Sequence, residues 1–300
     1  MKRNTRKPRS AGDVLWAYLQ EHAERFAVRD AEVRAGEPDG IHQMRVESRR
    51  LRTALAVYRS LLDAEQAREL QAELRWLGRT LSPARDLEVV EGHLNDAISA
   101  EPRTLTAGPV RMLPKRRLRE AATPARATAL AVLDQPRYLA LRERLDAFVA
   151  DPPWSEKAAK PATKALPKRL AKPWRRIQNR VETAETAEPR DRDAALHEVR
   201  KAAKRMRYAC DVAAPELGED VERLSRKSEQ IQDILGHHQD MVVLRQWLRR
   251  LSRDPEAGQA AFTFGRAHRR AEELAARDFA DYEPAWDRLR KRASDLLPTE

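Results

Sequence analysis

The sequence predicts an all-α protein of two similar helical bundles, and three observations carry that expectation. Apolar residues recur at three- and four-residue steps along nearly the whole chain. Glycine is scarce, at 10 of 300 residues, which disfavours a turn-rich sheet protein. A stretch of the first half also reappears in the second. Hydrophobic residues at 41% suffice for a core, and charged residues at 35% suit helices with one wet face.

The elements follow in order. Val14, Leu15, Tyr18, Leu19 and Phe26 place a first helix over about residues 12–34. Gly36, Pro38 and Gly40 end it, with Asp39 a candidate N-cap for the next. A second helix is expected over residues 41–62 and a third over 64–81. Ser82-Pro83 breaks the pattern before a fourth helix that continues to about Ile98. Residues 102–109 read as a loop, followed by helices over 110–133 and 136–150. Asp151-Pro152-Pro153 and the Lys/Pro/Ala-rich stretch to Pro173 read as the connection between halves. Helical pattern resumes at Ala165 or Trp174 and runs to about Thr186. Five more helices are expected over 191–214, 219–235, 240–251, 257–276 and 279–296.

The repeat is the strongest signal. The segment His42–Leu55 aligns with His197–Cys210 at an offset of 155, and Leu81–Val90 with Leu235–Leu244 at 154. Two matches at nearly one offset imply a duplicated unit of several helices. The expected division is residues 10–151 and 162–297, joined by 152–161, with 1–9 a basic disordered terminus.

Charge points to an acidic partner. Lys+Arg 58 against Asp+Glu 47 leaves +11, and 46 of the cations are Arg. Arginine's planar fork donates two parallel hydrogen bonds to a phosphate and keeps its charge. Cys210 is the only cysteine, which excludes an internal disulfide and a Cys-type zinc site. The basic opening is interrupted by Asp13, Glu21, Glu24 and Arg25, so neither a signal peptide nor a membrane span is expected. These features lead to the expectation of a cytoplasmic protein.

At ~100° per residue, His42, Arg45, Arg49 and Arg52 fall within an arc of roughly 80° on one helix. His197, Arg200, Lys204 and Arg207 occupy the same arc in the second copy, and Arg50 and Arg205 flank the two stripes. Met44, Leu51, Leu55 and Tyr58, like Val199, Met206 and Cys210, form the separate apolar faces. Cations three and four residues apart repel by about a few tenths of a kcal/mol per pair. No acid lies within either stripe, so the repulsion persists unless an anion covers it. A rise of ~5.4 Å per turn makes a ladder suited to an extended chain of phosphates. Neither phosphate-loop glycine motif occurs, and aromatics are only 5%, few for the stacking that single-stranded nucleic acid uses. Inorganic polyphosphate is therefore the expected partner.

The paired HxxR-x(3)-[RK]-R-x-R helices, with Arg85-Asp86…Val89-Val90 and Gln239-Asp240…Val243-Leu244 downstream, resemble the CHAD domain (conserved histidine α-helical domain) over about residues 13–296. The resemblance implies two helical bundles related by a pseudo-twofold axis around a basic groove or pore that binds polyphosphate without catalysis. It carries the family signature onto His42, Arg45, Arg49 and Arg52, then His197, Arg200, Lys204 and Arg207. The second copy departs with Lys204 in place of Arg49 and Gln239 in place of Arg85. Polyphosphate granules or polyphosphate-metabolising enzymes are the expected further contacts. The rival readings are a nucleic-acid-binding protein and a phosphohydrolase or phosphotransferase.

Other residues carry weaker signals. His42 and His197 lack a second His or carboxylate at i+3 or i+4, so no metal site is expected there. Helix capping is the ordinary role for His237 and His238. Asp86 and Asp240 are expected to begin the fourth helix of each unit. They either complement a helix N-terminus, worth ~0.3–1 kcal/mol, or orient the Arg forks of the neighbouring stripe. Arg116 and Arg117, with a counterpart in His268-Arg269-Arg270, and Lys168, Arg175 and Arg176 are secondary groove candidates. Residues 157–172 could instead form a flexible arm. No nucleophile elbow, catalytic triad order or paired carboxylates stand out, so neither catalysis nor a cofactor is expected.

Overall fold

A computed structural model describes residues 9–297; of residues 1–9, expected to be disordered, 1–8 lie outside the described residues, whereas the Arg9 carbonyl accepts a hydrogen bond from the Ala162 amide. Among the described residues there are eleven α-helices and no strand. They are α1 (Ala11–Ala35), α2 (Gly40–Val57), α3 (Ala64–Thr80), α4 (Ser82–Ser99), α5 (Met112–Ala131) and α6 (Pro136–Ala150). The second half holds α7 (Ala162–Ala165), α8 (Pro167–Glu185), α9 (Pro189–Leu217), α10 (Glu219–Ser252) and α11 (Ala260–Leu296).

Local chemistry sets several ends. Ser10 and Asp13 form a reciprocal capping box at the start of α1, at 3.1 and 3.0 Å, and Gly36 closes that helix at φ 74°. Asp63 caps α3 through the amides of Glu65 and Gln66. Asp39 stands at the expected cap of α2 but makes no side-chain cap bond. Its carboxylate instead accepts from Arg85 at 3.1 Å.

Two pairs of expected helices are each continuous. The segments 219–235 and 240–251 form one helix, α10, of 34 residues, and 257–276 and 279–296 form α11, of 37. In the first half α3 and α4 remain separate, meeting at buried Leu81. Pro83 has no amide proton to continue the ladder, whereas His237, its counterpart at offset 154, does. The gap expected near residue 278 contains no glycine or proline, and Pro284 is carried inside α11.

The stretch 157–172 is ordered, which corrects the flexible-arm alternative. The amide of Ala11 donates to the Lys160 carbonyl at 2.9 Å, and that of Ala162 to the Arg9 carbonyl at 3.0 Å. Ala158, Ala162, Ala165 and Leu166 are buried beneath α1, where a Cβ on Gly12 would lie 3.2 Å from that of Ala158. Small side chains that look like linker composition here permit close packing.

Two hydrophobic clusters form the core. The larger joins α1, α2, α3, α6, α7, α8 and α9 to the first part of α10 and the last part of α11. The smaller packs Val90, Leu94 and Ile98 of α4 and Leu113 and Leu118 of α5 against Leu244 and Leu248 of α10 and Phe264 of α11. Each fully buried Leu or Phe contributes ~1.5–3 kcal/mol. Both clusters mix residues from either side of the 152–161 segment, so the packing crosses the boundary that the repeat marks in sequence.

Candidate functional site: a basic groove between α2 and α9

The cationic stripes lie on neighbouring helices because their apolar sides are locked into the shared core. Met44, Leu51, Ala54 and Leu55 of α2 and Val199, Met206 and Cys210 of α9 are buried in it. Tyr58, wholly buried, donates its hydroxyl to the Ala209 carbonyl at 2.7 Å and ties the end of α2 to α9. Glu47, the acid nearest the first stripe, is buried away from it and hydrogen-bonds His22 at 2.6 Å.

Between the stripes lies a cavity of about 820 Å³, lined by Arg45, Arg49 and Arg52 of α2 and His197, Arg200, Lys204 and Arg205 of α9. Arg75 and Arg79 of α3 and Arg176 of α8 complete its basic wall, while Asp86 and the Lys201-paired Glu198 are its acids. A second cavity of about 1000 Å³ adjoins it, sharing Ala56, Gln71, Arg176 and Arg205, and includes Arg175. The side chains of Arg49, Arg52, Arg75, Arg79, Arg176, Lys204 and Arg205 make no hydrogen bond or ion pair with another described residue.

Burial first, and then the neighbouring cations, shift the protonation of several groove residues. Burial, then Arg49, Arg200 and Arg207, push Lys204 down to about 6. Burial, then Arg49 and Arg75, lower Arg52 to about 10. Arg45, Arg200 and Arg205 are lowered too, with burial the first cause in each. Both desolvation and like charge disfavour the charged form, and an anion in the groove would relieve the second.

The two copies support their arginines differently. Arg45 donates to the Ser82 carbonyl at 3.1 Å and to its hydroxyl at 3.0 Å, with Asp86 3.4 Å away. Ser82 in turn donates to Asp86 at 2.8 Å, so Asp86 orients Arg45. The residue equivalent to Ser82 is Gly236, and a Cβ there would sit 3.3 Å from Arg200 Nε. Among the described residues that buried Nε has no hydrogen-bond partner, nor has Nδ1 of His197. Asp240 lies in the middle of α10, which removes its expected helix-start role, and it faces His93 at 3.5 Å.

Several candidate residues lie elsewhere. His42 does not line either cavity; burial and then Arg85 push it down to about 4. Arg50 points away from the groove, 3.0 Å from Asp211 and over the Tyr208 ring. Arg207 is held by Glu229 at 2.8 Å. Arg117 is paired with Asp254 and Glu256, each at 2.8 Å, and Arg116 also with Glu256. Groove lining by Arg116 and Arg117 is therefore corrected: acids about 140 residues away in sequence occupy them. Lys168 is exposed outside both cavities. His237 and His238 do not cap a helix. His237 contacts Asp278 at 2.7 Å, and His238 contacts the Ala275 carbonyl and Asp193 at 3.0 and 3.1 Å.

Sequence reasoning missed Arg75 and Arg79, and with them Arg59, Arg68, Lys172, Arg180 and Lys201. The seven- and four-residue spacing of Arg68, Arg75 and Arg79, opposite buried Leu70, Leu74 and Leu77, was the available signal. It looks like an ordinary wet face until α8 and α9 are placed opposite.

Among the described residues no three His, Cys, Asp or Glu side chains are grouped to hold a metal ion, and no helix is long and apolar enough to cross a membrane. The fold matches PptA from Streptomyces chartreusis with a TM-score of 0.74 at 22% identity, covering 94% of this chain and all of that one. It also matches the CHAD domain from the plant Ricinus communis with a TM-score of 0.69 at 24% identity, covering 94% and 92% of the two chains. Two uncharacterized Mycobacterium tuberculosis proteins, MT2285 of strain CDC 1551 and Rv2226 of strain H37Rv, are 32% identical over 291 residues. The match covers 95% of this chain and 54% of each relative, so the chain spans about half their length. The CHAD domain family model matches residues 17–249, and on that match the chain belongs to the CHAD domain family.

Proposed function

We propose that the groove binds inorganic polyphosphate and holds it without chemical change. The observation that carries this reading is the set of unpaired cations on α2, α3, α8 and α9 that converge on one cavity. Such a set is costly in the free protein and is stabilised by a chain of negative charges rather than by one phosphate. Arg forks can each engage two phosphate oxygens, and membership of the CHAD domain family agrees with this ligand. Binding of this kind would carry the protein to polyphosphate granules, or bring a polyphosphate enzyme to its substrate.

The test is equilibrium binding of polyphosphate of defined length across a salt series. Counterion release makes log affinity fall linearly and steeply with log salt when several phosphates are contacted together. A flat dependence would remove the electrostatic reading. Competition at fixed salt separates the rival: polyphosphate should displace DNA, and DNA should not displace polyphosphate. Phosphate release, assayed with and without a divalent cation, distinguishes a binding protein from a hydrolase.

A further inference from the structure

The second cavity is basic as well. Arg59 and the α3 residue Arg68 face Lys172 and Arg180 of α8 across it, and no carboxylate among the described residues lines it. Arg176 and Arg205 belong to both cavities, so cationic lining is continuous from one into the other.

The opposite flank differs in sign. At offset 154, Arg75 and Arg79 of α3 correspond to Glu229 and Asp233 of α10. Glu229 occupies Arg207, and no residue of α10 lines either cavity. The duplicated sequence therefore does not make a duplicated surface. The α10 flank carries acids outside both cavities, while arginines extend the groove between α3 and α8.

We propose that the cleft between α3 and α8 is a second, contiguous polyanion compartment, which a linear phosphate chain enters after filling the groove between α2 and α9. This rests on the reading of that groove as the primary site. From Arg79 to Arg68 is eleven helical residues, a span of about 16 Å. A triphosphate is too short to cover both compartments, and a long chain can bridge them. Contact with the second compartment is then intramolecular for a long chain, which raises its affinity without altering that of a short one.

The test uses the full chain with Arg68→Glu and Arg180→Glu together. Neither residue lines the first cavity, and neither side chain has a hydrogen bond or ion pair with another described residue. Affinity for long polyphosphate should drop at least about tenfold, while tripolyphosphate binding changes less than about twofold, the separation expected of linked sites. Arg223→Glu with Arg290→Glu applies the same change of charge on α10 and α11 outside both cavities, and should leave the ratio of the two affinities as in the wild type. Arg49→Glu with Arg52→Glu tests the primary site and should abolish binding at both lengths.

If the Arg68/Arg180 variant keeps wild-type binding of long chains while the Arg49/Arg52 variant loses it, the second compartment is refuted and the groove stands. Equal losses at both lengths in the Arg68/Arg180 variant, or the same length-dependent loss in the Arg223/Arg290 variant, also refute it, as a general field effect. Unchanged binding in the Arg49/Arg52 variant removes the primary reading itself.

Discussion

Arg207 lies 2.8 Å from Glu229, and this contact makes the second stripe unlike the first. Arg52, the counterpart of Arg207 at offset 155, stands where the neighbouring helix carries Arg75. One cation is neutralised within the protein, while the other is surrounded by Arg49, Arg75, Arg79 and Arg205.

This asymmetry should appear in binding. Arg52→Ala is expected to weaken polyphosphate binding about tenfold or more, since a hydrogen bond to a charged group is worth about 1.5–3 kcal/mol. Arg207→Ala should cost about twofold or less, because the residue already spends its charge on a partly exposed ion pair. Glu229→Arg, which releases Arg207 and adds a cation, should raise affinity. Titration of the three variants decides it; equal losses at Arg52 and Arg207 would mean that the Glu229 contact opens in solution and the groove is symmetric.

Stability should divide between scaffold and stripe. Arg49→Gln removes a cation with no hydrogen-bond or ion-pair partner among the described residues, so the melting temperature should stay level or rise as repulsion with Arg52 is relieved. Met44→Asp places an unpaired carboxylate at a fully buried position and should destabilise by about 3 kcal/mol or more. Thermal melts with far-ultraviolet circular dichroism measure both. A large loss for Arg49→Gln would make the stripe a structural element.

Anion binding in the groove should be linked to the protonation of Lys204. In the free protein its ammonium is pushed down to about 6 by burial and by Arg49, Arg200 and Arg207, with Asp233 opposing. Between that value and the ordinary lysine range near 10.5, the unfolded chain binds more protons than the folded one. Stability from this group therefore rises with pH across that window and has gone below it. An anion over the groove restores the charged form, so binding at pH 7.5 should take up a proton, and affinity should fall as pH increases. Calorimetry in buffers of different ionisation enthalpy reads the uptake directly. Lys204→Arg should abolish most of it and hold affinity at high pH; no uptake in the wild type would show that Lys204 is already charged.

Tyr58→Phe tests the tie between the stripe helices. It deletes a buried hydrogen bond to the Ala209 carbonyl while retaining the ring, and should cost about 1 kcal/mol in denaturant unfolding. Polyphosphate affinity should fall with it if this bond sets the spacing of α2 and α9. Lost stability with unaltered affinity would show that the core alone positions them.

The sequence by itself determined the helical class, nearly all the helices of the first half, the duplication, and the separation of a cationic from an apolar face on α2 and α9. Each is local: it depends on residues three or four apart, or on two stretches compared side by side. Tertiary structure decided which cations remained unpaired. Arg50, Arg117 and Arg207 look like groove residues in the chain, but Asp211, Asp254 and Glu229 occupy them. Arg68, Arg75, Arg79 and Arg180 look like solvated surface, but packing sets them around the cavities. An ion pair depends on separation in space, and the acid that satisfies Arg50 lies 161 residues along the chain. Periodicity says which way a side chain faces, and only the packing of the helices says what stands opposite it.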